Sequence, residues 1–369
     1  MTSVKLTVAA GLVLATVTIW STSGMRADTP PPTTWNPKAA AAYLDGRAGW
    51  WMAWPSAARD HETFCVSCHT AVPYALARPA LRAPLGERER TPTELKLLDN
   101  VAKRVTLWRD VAPFYPDQTR GLPKSSESRG TEAVLNALIL ASRDAQTGRL
   151  GDDTRAAMAN MWALQMKTAD LSGAWAWLNF KYEPWESPDA PFFGASLAAL
   201  AVGTAPEGYA SDPALRDNLK LLADYLQKQR ERQGLFNQVM ALWASVKVNG
   251  LLPAEARQAI VDAALKQQRE DGGWSTASLG TWKRLDGSAL DTRSDGYATG
   301  LVALVLQQTG LPASEPHVTR ALDWLRRNQD PVTGQWHAAS LNKERDPASD
   351  AGKFMSDAAT AYAVLALTR

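Results

Sequence analysis

Gln268-Arg-Glu-Asp-Gly-Gly-Trp274 and Gln329-Asp-Pro-Val-Thr-Gly-Gln-Trp336 are two copies of one short pattern: a Gln near a helix end, then Gly, one residue and an aromatic. The pattern recurs as Gln165 to Gly173 and Trp175, and as Gln229 to Gly234 and Phe236. Each residue type suits a loop that turns one helix into the next. Gly accepts the left-handed turn that ends a helix, the Gln amide bonds orphan backbone groups, and the aromatic staples neighbouring hairpins together. Four copies in phase mark an internal repeat with a period of about 55 residues.

Outward from these loops, two kinds of segment alternate. Lys38 to Trp51, Thr93 to Val111, Asp152 to Lys167, Pro213 to Arg230, Ala254 to Gln268 and His317 to Gln329 are amphipathic and charged. Cys65 to Leu81, Thr131 to Ser142, Pro191 to Gly203, Gln238 to Val248, Tyr297 to Thr309 and Ser356 to Thr368 are poor in charge and rich in small and aliphatic residues. A helix that is apolar on nearly every side must be buried. The order predicts six hairpins, outer helix then inner helix, enough to close a ring, so the fold class is all-α. The repeat order places the start of the first inner helix at Cys65, and Pro73 and Pro79 predict that this helix is bent.

The repeats resemble the QW repeats of the squalene-hopene cyclase and protein prenyltransferase superfamily, most clearly between Ala254 and Arg369. That resemblance implies an α/α toroid, two concentric rings of helices, over residues 37–369. The cyclases of the family protonate their substrate with an Asp-x-Asp-Asp acid. The nearest run here, Asp291-Thr-Arg-Ser-Asp295, has a different spacing, which argues against cyclase activity. Family prenyltransferases hold zinc through Asp, Cys and His, and the two cysteines of this chain are engaged elsewhere.

Those cysteines stand in Cys65-Val66-Ser67-Cys68-His69. A Cys-x-x-Cys-His run supplies two thiols that add to the haem vinyl groups and a His that reaches the iron, because all three anchors must meet one flat macrocycle. The expected cofactor is one covalent haem c on Cys65, Cys68 and His69. A disulfide or redox pair between Cys65 and Cys68, or half of a zinc site, are the alternatives. Zinc lacks a second Cys pair, and a redox dithiol fits a βαβ context better. Because the loops and inner helix starts share one end of the ring, His337 or Met355 is the expected sixth iron ligand. His61, Met52 and His317 are weaker candidates. Glu132, Asp189, Asp295 and Asp357 each stand near an inner helix start. They either cap those helices or, with Asp291 and Arg293, ring the haem mouth. Trp185, Phe192, Phe193 and Trp243 either line an apolar cavity or fill the core.

Composition narrows the function. Lys and Arg number 40 against 38 Asp and Glu, with no long block of one sign, which excludes a phosphate-tracking surface and nucleic acid partners. Met1 to Lys5, the apolar run Leu6 to Trp20 and the small residues through Ala27 have the layout of a secretory signal, followed by a Pro-rich linker at 28–36. About 15 helical residues span about 22 Å, short of the roughly 30 Å hydrocarbon core, so cleavage is expected over an anchor. Three functions follow as expectations: an exported, periplasmic monohaem cytochrome that meets a redox partner protein; a haem oxidoreductase acting on an apolar, isoprenoid-like molecule; or a haem-free toroid scaffold with a Cys65 to Cys68 disulfide.

Overall fold

The computed structural model describes Met1, residues 34–117 and residues 123–369. The signal expected at 1–27 and most of the linker at 28–36 lie outside the described residues. Among the described residues, no helix is long and apolar enough to cross a membrane.

Asn36 starts the helical array, its side chain accepting from the Ala39 amide at 3.0 Å ahead of Pro37. The helices are α1 (Pro37–Ala53), α2 (Ala71–Ala77), the single turn α3 (Arg82–Leu85), α4 (Pro92–Thr106), α5 (Ser125–Ala145), α6 (Asp152–Ala163) and α7 (Ala190–Thr204). They continue with α8 (Arg216–Gln229), α9 (Leu235–Lys247), α10 (Ala254–Lys266), α11 (Gly296–Gln308), α12 (Pro316–Arg327) and α13 (Phe354–Leu367). Helix α12 buries only Val318, Ala321, Leu322, Trp324 and Leu325, one stripe. In α11 every residue from Gly296 to Leu306 is buried. This contrast sorts the helices into two rings. Inner helices α2, α5, α7, α9, α11 and α13 touch in that order, and α13 touches α2. Five outer helices pack against the inner helix of the preceding hairpin, α6 on α5, α8 on α7, α10 on α9, α12 on α11 and α1 on α13, whereas α4 packs mainly on α5 of its own hairpin. The protein is an all-α, α/α toroid of six hairpins.

Three of the four repeat loops are built alike. Gln165 Nε2 donates to Gly173 O (3.1 Å) and to Asn218 O (3.0 Å), beside the next outer helix. Gln268 does the same with Gly272 O (2.9 Å) and His317 O (2.8 Å). Gln329 donates to Gly334 O (2.9 Å) and Asn36 O (3.0 Å), so the sixth hairpin is joined to the first by the device that joins the others. Trp175, Trp274 and Trp336 each give the indole N–H to the last turn of the preceding outer helix, at Met161 O, Ala264 O and Leu325 O. Gly173, Gly272 and Gly334 all have positive φ, and a Cβ on any of them would strike the backbone of the next outer helix. The expected copy at Gln229 departs from this: Gly234 has φ −60° and caps α9, and Phe236 lies inside that helix. There the chain enters α9 directly after Gly234, and no left-handed turn is made.

Two further expectations are corrected. Cys65 does not start a helix: it follows a small hairpin, β1 (Ala58–Arg59) with β2 (Thr63–Phe64), and helix α2 begins at Ala71. The Ser67 hydroxyl accepts from the amides of Thr70 (3.3 Å) and Ala71 (3.1 Å) and sets that start. Pro73 sits in the first turn, and Pro79 lies in the tighter 3₁₀ turn Arg78–Leu81 that follows α2. Glu132 is not at a helix start either. Helix α5 begins at Ser125, and Gly130 is a packing contact, because a Cβ there would stand 2.0 Å from Ala176 O.

Inside the ring, Trp243 of α9 meets Tyr362 of α13 at 6.1 Å, across the α11 between them. Tyr362 meets Tyr297 (5.4 Å), and Tyr297 meets Phe236 (5.7 Å). Phe192, Phe193, Trp185 and Trp243 are all buried in this core.

Candidate functional site

The chain at Cys65, just past β2, is fixed from three sides. Cys65 N donates to Ala57 O (2.8 Å), the Asn100 side chain of α4 brackets the Phe64 backbone (2.8 and 3.1 Å), and Trp51 Nε1 of α1 donates to Cys65 O (2.6 Å). Cys65, Cys68 and His69 then line one cavity of about 330 Å³ with Trp51, Trp54, Trp185, Phe354 and Met355. The volume lies at the lower end of the range for small-molecule sites, about 300–1,000 Å³. Both cysteines are buried free thiols. Burial pushes the Cys65 thiol up to about 12 and Cys68 well above its ordinary value. A redox dithiol needs the opposite, a thiol whose pKa is depressed by nearby positive charge.

His69 sits in an aromatic clamp. Its ring stacks on Phe354 at 3.9 Å, meets the edge of Trp51 at 4.9 Å and faces Trp185 at 5.8 Å. Burial, with the Arg47 charge beside it, pushes His69 down to about 3. His69 Nδ1 lies 2.8 Å from the Thr70 hydroxyl, which lies 2.6 Å from Asp357 Oδ2. Asp357 Oδ1 accepts from Tyr43 OH and Arg47 Nε, both at 2.8 Å. Arg47 continues to the side chain and backbone oxygens of Asp350, at 2.9 Å each. Burial pushes Asp357 above the ordinary carboxylate range, opposed by Arg47.

The other expected site residues separate. Met355 lines the same cavity as His69. His337 lines a second cavity of about 340 Å³, together with Asp291, Arg293 and Asp295, and among the described residues only Ser340 borders both. Asp291 is held down at about 2 by its hydrogen bond from Arg293 (2.6 Å). Asp295 caps α11, accepting from Tyr297 N and Ala298 N, and also from Thr276 N and Oγ1; burial pushes it up to about 6 against those bonds. Asp189 is exposed and makes no side-chain cap bond. Glu132 is fully buried and pairs with Arg104 Nε at 2.5 Å, while its neighbour Thr131 reaches the cavity. His61 pairs with Asp60 at the surface, His317 pairs with Glu315 at the start of α12, and Met52 borders a separate groove. Thr70, Tyr43, Arg47, Trp51 and Phe354 were not singled out by the sequence. The adjacency of Thr70 to the motif was the one local signal available.

No family model matches the chain, and no curated protein matches it. Among solved structures it is similar to the ent-copalyl diphosphate synthase from Streptomyces platensis, with 19% identity and a TM-score of 0.46 over 79% of this chain. The match covers 49% of that enzyme, so the chain spans about half its length. It is also similar to a glycosidase (13% identity, TM-score 0.47, 89% of this chain and 97% of that one). A polysaccharide lyase follows at 11% identity and a TM-score of 0.34, over 91% of this chain and 90% of that one.

Proposed function

We propose that this chain is an exported monohaem c-type cytochrome built on an α/α toroid, which exchanges electrons with a partner protein. The observation that carries the reading is the convergence of two buried free thiols, Cys65 and Cys68, and the ring of His69 on one aromatic-lined cavity. The donor set fits the group: two thiols for thioether bonds, an imidazole with one nitrogen already engaged by Thr70, and flat apolar walls from Trp51, Trp185 and Phe354. Bound there, haem c supplies one-electron exchange at its iron.

The residues divide the work. Cys65 and Cys68 would hold the macrocycle through thioether bonds, and His69 would bind its iron. Met355, on the same cavity, is the candidate for the sixth position, ahead of His337 on another. Arg345, exposed where it borders the cavity, offers a cation to the haem carboxylates. The aromatic shell keeps water from the ligand and lowers the local dielectric, which is one of the levers a protein has on haem potential. The leader read at 1–27 suits this function, because haem c is attached on the far side of the membrane and two thiols in an oxidising compartment need a fixed fate.

The test is direct. The full-length chain is made in a periplasm equipped with the haem attachment machinery, and its spectrum and pyridine haemochrome are recorded. A Soret band and reduced α-band that survive denaturation, and vanish in Cys65→Ala/Cys68→Ala, are expected. Colourless wild-type protein would overturn the proposal.

A further inference from the structure

We propose that Thr70 and Asp357 are positioning residues that hold His69 with Nε2 as its free, iron-binding nitrogen and bias the iron toward the ferric state. The inference rests on the haem reading above. It starts from a proton count. Asp357 receives Tyr43 OH and Arg47 Nε on Oδ1, each at 2.8 Å, and a guanidinium in that contact favours the carboxylate form. Its Oδ2 lies 2.6 Å from the Thr70 hydroxyl. A hydroxyl has one proton to give, so Thr70 gives it to Asp357 and accepts at its own oxygen. The group 2.8 Å from that oxygen is His69 Nδ1, which must therefore be the N–H donor. The lone pair is left on Nε2.

The consequence is electronic as well as geometric. A chain N–H to hydroxyl to carboxylate draws the Nδ1 proton toward oxygen and makes the imidazole a stronger donor at its other nitrogen. A stronger donor stabilises ferric over ferrous iron. Thr70 and Asp357 are 3% and 2% exposed, so water cannot substitute for either, and the low dielectric strengthens the chain. Arg47 balances the carboxylate charge and moderates the effect without removing it. Thr70 and Asp357 are 287 positions apart, in the first and sixth hairpins, so the pair forms only when the ring is closed.

The experiment measures the midpoint potential of the full-length, haem-loaded protein in wild type, Thr70→Val and Thr70→Ser. Thr70→Val keeps the shape and removes the hydroxyl. Its ferric-to-ferrous ratio at a fixed ambient potential is expected to fall about tenfold, an upward shift of ~59 mV for one electron. Thr70→Ser restores the wild-type potential. A merely structural role would lower the melting temperature and leave the potential in place. Thr70→Val that loads haem at an unchanged potential overturns the inference and leaves the haem reading standing. A wild-type chain without haem overturns both. If Thr70→Val does not fold, Thr70→Ala takes its place, and an unmoved potential there has the same force.

Discussion

Arg47 Nε and Asp357 Oδ1 meet at 2.8 Å, joining the first outer helix to the last inner helix of the ring, with side chains only 8% and 2% exposed. A buried charge whose partner is removed is left without solvent or counter-ion. Arg47→Met is expected to cost about 3–5 kcal/mol in urea unfolding, and the double change Arg47→Met/Asp357→Leu to recover part of it. A single variant as stable as wild type would mean that this pair does not hold the seam.

The same seam depends on Gly334, at φ +78°, where an added Cβ would stand 2.4 Å from the Ala39 backbone. Gly148 has φ +69° and open space around it. Gly148→Ala is expected to cost about 1 kcal/mol, the left-handed strain alone. Gly334→Ala adds a backbone clash and is expected to cost about 3 kcal/mol. Equal losses in paired thermal melts would contradict the packing.

Thiol chemistry gives an independent check on the cavity. With Cys65 pushed up to about 12, its thiolate fraction at pH 8 is on the order of 10⁻⁴. In the haem-free, full-length chain both cysteines should resist iodoacetamide until the protein is unfolded. Labelling at the rate of a free thiol would place them at the surface or in a redox pair.

On the haem proposal, the sixth ligand follows from the cavity a side chain lines: Met355 shares that of His69 and His337 does not. Met355→Leu should convert a six-coordinate, low-spin spectrum to a five-coordinate one, whereas His337→Gln should leave it unchanged. The reverse pattern would require the loop around Ser340 to rearrange when haem binds.

Acid sensitivity follows from His69. Its folded pKa, about 3, is below the unfolded value of about 6.5, so between these values the unfolded chain binds more protons. Stability is therefore present above about pH 6.5 and declines as pH falls toward 3. Between pH 7 and 5 His69 should therefore add nearly one proton to the pH slope of the haem-free Cys65→Ala/Cys68→Ala chain, against the opposing proton uptake of folded Asp295, which is pushed up to about 6. Adding His69→Gln should remove that contribution; an unchanged slope would show that His69 is solvated.

Much of the ring was legible in the chain because its signals are local. The stripe on α12, the unbroken burial of α11 and the Gln-to-Trp loops all repeat within a few turns of helix, and the Cys65 to His69 spacing is a statement about five residues. The Gln229 copy shows the limit of such reading. Its residue types match the pattern, but the chain goes straight into α9 and the staple never forms.

The roles of the charged residues lay beyond sequence. Asp189, Asp295 and Asp357 read alike as helix-start acids, yet one is exposed, one caps α11, and one holds the relay to His69. Arg47 reads as part of a solvated outer face. The sequence by itself determined the alternation of helices, the loop device and the close spacing of Cys65, Cys68 and His69, since these follow from periodicity and neighbouring residue types. Only the tertiary structure decided which acid serves His69 and which of His337 and Met355 shares its cavity. Those contacts join residues about 290–310 positions apart, and they exist only because the sixth hairpin closes on the first.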